Sequence, residues 1–186
     1  WRWPAGLAAL CYAALCVPFF DWIIDDAGIS FAYAENLVRG HGLVLHPAHR
    51  PEEGYSNLLW VLVLAAFRGL GADVAVTAKV LGVALGALTI ALAVRTAVQE
   101  SGASEELLLP AGALLAAAPY VIWTSSGLEN AIVGVLTMWL VVAPHSRHPR
   151  AVTAAALALF ILVRPEAPLF VAAVVAAEVI AAPGGL

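Results

Sequence analysis

Charge is scarce in this sequence. Only 12 % of its residues are Asp, Glu, Lys or Arg, while 62 % are apolar. Soluble domains average about 25 % charged and 45–50 % apolar residues. A chain of 186 residues has too little interior to hide such an excess, so a water-soluble fold is disfavoured and a lipid bilayer is the natural solvent. The small net charge of −4 comes with no basic patch, which argues against nucleic acid as a partner. Cysteine is equally rare. Cys11 and Cys16 fall in the first apolar stretch, where they read as small packing residues and not as a disulfide or a metal pair. An initiator Met is missing. The chain begins Trp1-Arg2-Trp3 and ends Pro183-Gly184-Gly185-Leu186, so it is expected to be the N-terminal part of a longer polypeptide, inactive alone. No internal repeat is visible.

Long apolar runs are abundant. They cover residues 5–24, 74–94, 107–123, 128–143, 151–163 and 167–182, with a shorter one at 57–67. Crossing a hydrocarbon core takes about 20 apolar residues, and several runs approach this. The first is too long for a signal-peptide core and lacks a small-residue cleavage site. The expected fold is an all-α membrane protein, a polytopic transmembrane helix bundle with a helical first outer loop over residues 25–72. The basic loop His145-Ser146-Arg147-His148-Pro149-Arg150 and Arg2 place the N-terminus and that loop in the cytoplasm by the positive-inside rule. Residues 25–72, 125–129 and 164–166 then face outward, provided that 57–67 does not cross. Its 11 residues would span only about 17 Å as a helix.

Within the outer loop, residues 26–40 read as a short surface helix. Asp26 is its N-cap, Gly40 its C-terminal stop, and Ile29, Ala32, Tyr33 and Leu37 lie on one face. Three acidic or mixed clusters stand at membrane boundaries: Asp25-Asp26, Glu129, and Arg164-Pro165-Glu166. Such charges either mark the boundary and cap helices or do chemistry. The expected topology brings all three to one side. There carboxylates serve as a base or metal ligands and an Arg holds a phosphate, a combination suited to a lipid-phosphate substrate. His41, His46 and His49 lack the closed ligand set of a zinc site. Lys79 is expected to snorkel, and Tyr55, Trp60 and Trp123 to anchor at the interface.

The run Asp25-Asp26-Ala27-Gly28-Ile29-Ser30-Phe31-Ala32-Tyr33-Ala34-Glu35-Asn36-Leu37, followed by Gly40-His41-Gly42-Leu43-Val44 and Glu53-Gly54-Tyr55-Ser56-Asn57-Leu58-Leu59-Trp60, resembles the first outer loop of GT-C membrane glycosyltransferases. The nearest group is the arabinofuranosyltransferase B-like branch. Ser126-Gly127-Leu128-Glu129 and Arg164-Pro165-Glu166 resemble later motifs of that group. Ala32 stands where the family commonly has Arg, and His46 where it commonly has Asn. The resemblance implies a polyprenyl-phosphate-linked sugar donor, a glycan or lipid-linked acceptor, and inversion at the anomeric carbon. Asp25 would be the general base with Asp26 beside it. Arg164 would stabilise the leaving phosphate, and Glu129, Glu166, Tyr55 and Asn57 would bind substrate. It leaves a divalent cation open. It places the enzyme in the plasma membrane with its site on the extracytoplasmic face. A transporter or channel subunit and a non-catalytic scaffold are the competing readings. A transporter would carry charges near the midplane, often in repeated halves.

Overall fold

The computed structural model describes residues 3–48, 54–101, 112, 118–142 and 150–181. Every regular element among them is a helix: α1 Trp3–Cys16, α2 Ala27–Val38, α3 Leu58–Gly69, α4 Val74–Ser101, α5 Ala118–Thr124, α6 Asn130–Val142, α7 Arg150–Val163 and α8 Ala167–Ala181. A 3-10 turn, Val17–Phe19, follows α1 directly. The all-helical expectation therefore holds for the described residues. The basic loop used to orient the chain lies outside them except for Arg150, as do His49, Glu53 and most of the run 107–123.

Local chemistry sets the helix ends. The first apolar run is not one continuous helix, as its length suggested. Pro18 removes an N–H donor and crowds the preceding turn, so α1 stops at Cys16 and the chain continues through the 3-10 turn to an irregular corner ending at Asp26. Asp26 occupies the N-cap position of α2, but its side chain makes no cap bond. The carbonyls of Asp25 and Asp26 accept the N–H groups of Gly28 and Ile29 instead. Gly40, at φ 81°, ends the helix region in the left-handed conformation that glycine adopts at little cost. Asp73 caps α4 with its side chain, accepting the Val76 N–H at 2.9 Å. Pro165 separates α7 from α8.

The face of α2 turned inward differs from the one expected. Ala27, Ser30, Tyr33, Ala34 and Asn36 are buried, whereas Ile29 is exposed. Polar partners draw the helix round: Ser30 faces Asn57, and Asn36 Nδ2 donates to the carbonyls of Val44 and Leu45. Tyr33 and Ala34 join Trp60, Val61, Leu64 and Ala65 of α3 and Val74 and Ala78 of α4 in one core cluster. A second cluster unites Tyr12 and Cys16 of α1 with Ile90 and Val94 of α4 and Val121 of α5. The third joins α6, α7 and the start of α8 through Leu136, Leu140, Phe160, Val163 and Ala167. Cys16 is buried and Cys11 exposed, both as free thiols.

α1 and α4 run antiparallel. The end of α1 meets Lys79 near the start of α4, while Ala5 and Ala8 lie with Val94 and Val98 in the second cluster. α3 begins at that same end of the bundle. Asn57, just before α3, bonds Glu129, and Lys79, in the second turn of α4, bonds the Ser125 carbonyl four residues away. Among the described residues one helix, Val74–Val98, is long and apolar enough to cross a membrane, at mean hydropathy 2.0. Four shorter apolar helices accompany it: Ala5–Phe19, Leu58–Gly69, Asn130–Leu140 and Ala151–Val163. Large apolar side chains also face outward, including Leu10, Val80, Leu88, Ile161 and Leu169.

Close approach of α4 and α5 requires glycine. A Cβ on Gly82 would collide with the Thr124 carbonyl oxygen, a backbone atom that cannot swing aside. Gly82→Ala is expected to cost about 1–3 kcal/mol, read as a lower unfolding midpoint in detergent. Gly28→Ala, whose Cβ meets nothing within 4 Å, should not lower the midpoint.

Candidate functional site

Four segments converge at the end of the bundle where α1 finishes. Glu129 stands at the start of α6 and is only 4 % exposed. A carboxylate there must be paired and hydrogen-bonded to be tolerated, and both of its oxygens are engaged. Asn57 Nδ2 donates to Oε2 at 2.7 Å, and Arg164 Nη1 lies 3.2 Å from Oε1. Asn57 is itself held by Ser30: its Nδ2 donates to Ser30 Oγ at 3.0 Å, and Ser30 Oγ donates back to Oδ1 at 3.3 Å. Arg164 Nη2 donates to Asn130 Oδ1 at 3.3 Å, and its Nε lies 3.5 Å from Glu166 Oε1. The guanidinium is one-third exposed and the Glu166 side chain about half exposed. The network thus runs from a dry end at Ser30 to a wet end at Glu166, with Arg164 at the opening.

Sequence reasoning named Asn57, Glu129, Arg164 and Glu166, and the fold brings these four together. It missed Ser30 and Asn130. The signal for Ser30 was its place three residues after Ala27 and three before Tyr33, the spacing of one buried helix face. Asn130 simply follows Glu129. Tyr55 is not part of the network. Its ring packs edge-on against Tyr33 at 4.8 Å, and the Tyr33 hydroxyl accepts the Gly54 N–H at 3.1 Å.

The turn before Glu129 is fixed tightly. Ser125 Oγ and Ser126 Oγ donate to the carbonyls of Val121 and Trp123. Gly127 adopts φ 98°, and a Cβ on it would lie 3.2 Å from both Ala27 and Phe31, so only glycine suits this position. Trp60, expected as an interfacial anchor, is fully buried and donates its indole N–H to the Gly127 carbonyl at 3.0 Å. The reason is the free carbonyl of a glycine turn inside an apolar cluster, which needs a donor. Trp123 is nearly half exposed.

Asp25 and Asp26 lie beside this turn. The Ile24 N–H donates to the Ser126 carbonyl at 3.2 Å, which sets the acidic pair alongside the Ser125–Glu129 turn. Both aspartates are exposed. Lys79, expected to snorkel, does the opposite. It is 2 % exposed, and its ammonium donates to the carbonyls of Phe19 (2.9 Å), Ser125 (2.6 Å) and Trp22. Three acceptors at or just past two helix ends make burial cheaper than reaching for water. His41 and His46 are exposed, and His46 Nδ1 accepts the Ala48 N–H at 3.3 Å. Among the described residues no group of three or more His, Cys, Asp or Glu side chains is placed to hold a metal ion.

No family model, no curated protein and no solved structure matches this chain.

Removing one partner of a buried ion pair strands the other. Arg164→Met should destabilise the protein by about 2–4 kcal/mol, below the full buried-pair cost because the guanidinium is partly solvated. Glu129→Gln in the same chain should recover part of that loss. A double-mutant cycle on unfolding in detergent would give an additive result if the pair were not coupled.

Proposed function

We propose that this chain is part of a multi-pass membrane glycosyltransferase of the GT-C type, acting on a polyprenyl-phosphate-linked sugar at the extracytoplasmic face. One observation carries the reading. Asn57, Glu129, Arg164 and Glu166, which the resemblance singles out, come from separate parts of the sequence, Asn57 and Glu129 being 72 positions apart, yet they meet at one end of an apolar helical bundle beside two exposed aspartates. Helices that are apolar on their outward faces suit lipid. In this reading 57–67 does not cross, and Asp25, Asp26, Glu129, Arg164 and Glu166 share the outer face.

In this reading Asp25 takes the proton from an acceptor hydroxyl. The oxygen attacks the anomeric carbon from the face opposite the phosphate, the carbon–oxygen bond to the phosphate breaks, and the phosphate leaves with the electron pair. Configuration at the carbon inverts. Arg164, at the opening of the network, offers its solvent-facing edge to the negative charge that develops on the leaving phosphate. Glu129 and Asn130 hold that guanidinium in place. Glu166 lies at the wet end, where it contacts substrate, and Asn57 supports Glu129. Asp26 adds negative charge beside the base. The polyprenyl tail stays in the bilayer against the outward apolar faces.

The test uses the full-length protein in membranes, supplied with polyprenyl-phosphate pentoses and hexoses. A general base contributes about 10²–10⁴-fold, so Asp25→Asn should reduce sugar transfer by that order. Full activity in Asp25→Asn would remove the reading. Sidedness gives a second check. With Cys11 and Cys16 replaced, single cysteines at Asp26, Ser146 and Glu166 would be probed in intact cells with an impermeant thiol reagent. Labelling at 26 and 166 but not at 146 is expected. Labelling at 26 and 146 but not at 166 would overturn the topology.

A further inference from the structure

The corner that carries the acidic pair is held more by polar tethers than by packing. From Val17 to Asp26 no residue is buried; Phe20, Trp22 and Ile23 are about two-fifths exposed. Phe19 rests partly buried on the second core cluster and Ile23 lies over Gly127, so packing fixes this corner only weakly. The carbonyls of Ile24, Asp25 and Asp26 lead into the first turn of α2; beyond those turn bonds, among the described residues, the corner is joined to the bundle by the Ile24 N–H to the Ser126 carbonyl and the two bonds from Lys79 to the Phe19 and Trp22 carbonyls. The third Lys79 bond goes to Ser125, the residue next to Ser126. One ammonium therefore ties the corner to the turn that leads into Glu129.

Lys79 is the sole lysine of the sequence. It makes no ion pair among the described residues, and its three donors are matched by three carbonyls. Those carbonyls lie at the end of the α1 and 3-10 run and just past the end of α5, where helix dipoles present their negative poles. The nearby Asp21 carboxylate adds to that field. The Phe20 ring, 6.0 Å from the ammonium, covers one side. An arginine fork or a shorter donor cannot satisfy three carbonyls converging on one point.

We infer that Lys79 is the positioning residue of the acidic site: it fixes Asp25 against the Glu129–Arg164 network by binding the Phe19, Trp22 and Ser125 carbonyls at once. The inference rests on the glycosyltransferase reading for its effect on rate, but the tether has its own readout. Misplacing a reacting group by about 1 Å costs about a hundredfold. In the full-length protein, Lys79→Met should lower kcat about tenfold or more, with the KM for a polyprenyl-phosphate sugar changed by less than about twofold, because Arg164 and its partners are untouched.

The experiment combines this variant with a replacement tether. Ile24→Cys and Ser126→Cys join neighbouring backbones within disulfide reach, in a chain without Cys11 and Cys16. In the Lys79→Met background the oxidised cross-link should restore kcat, and reduction should abolish the gain. With Lys79 present, reduction should change kcat little. The cross-link also lets the variant be studied if Lys79→Met alone does not fold. Independently of activity, a nitroxide on Ile23→Cys should become more mobile when Lys79 is replaced. Unchanged kcat and unchanged nitroxide mobility in Lys79→Met would overturn the inference, as would a loss confined to KM. Activity that survives Asp25→Asn while the nitroxide is freed by Lys79→Met would instead remove the glycosyltransferase reading and leave the tether standing.

Discussion

A buried carboxylate at the start of α6 obliges the rest of this end of the molecule to assemble around it. Glu129 has almost no access to solvent, and an unpaired charge in such a place would cost far more than one helix contact returns. The pairing with Asn57 and Arg164 draws the lead-in to α3 and the break between α7 and α8 to the same point. Ser30 and Asn130 complete the hydrogen bonding. A network satisfied in this way is rigid, since loosening any member leaves a buried polar group alone. Rigidity at the dry end and exposure at Arg164 and Glu166 are what a site for a charged substrate needs.

The same economy appears where helices meet. Close packing and polar contacts fix how these apolar helices meet. Small residues let α4 approach its neighbours: Gly82 lies against the Thr124 carbonyl, and Gly86 under the Tyr12 hydroxyl. The Tyr12 hydroxyl also hydrogen-bonds Thr124, and Tyr120 donates to the Gly86 carbonyl. At the other end of α2 and α3, Glu35 pairs with Arg68 and Arg39. Each contact fixes a register that Leu, Val and Ala alone would leave open.

The corner between α1 and α2 shows the consequence for function. Pro18 ends α1 early, and beyond the 3-10 turn the approach to Asp25 has no regular secondary structure and only partly buried side chains. An exposed carboxylate in such a segment would sample many positions. The Lys79 bonds and the Ile24–Ser126 pairing place it beside a turn already fixed by Gly127, Trp60 and Glu129. Placement of the acid pair and integrity of the network are therefore linked through four residues of backbone, Ser125 to Leu128.

Composition by itself determined the helical class: long runs rich in Ala and Leu favour helix, and every regular element among the described residues is one. Glu129, Arg164 and Glu166 stood out as charges against apolar surroundings, whereas Asn57 was marked only by the family resemblance. The sequence could not show which way a helix turns: Ile29 looked inward by hydrophobicity, but Ser30 was drawn in by Asn57, a partner 27 residues away. Nor could it show that Lys79 and Trp60 are buried, because long amphipathic side chains lie equally well toward water or toward carbonyls, and only the fold supplies the carbonyls. Chemistry was legible one residue at a time. The pairing of those residues was decided in three dimensions, where each buried polar group had to find its partner.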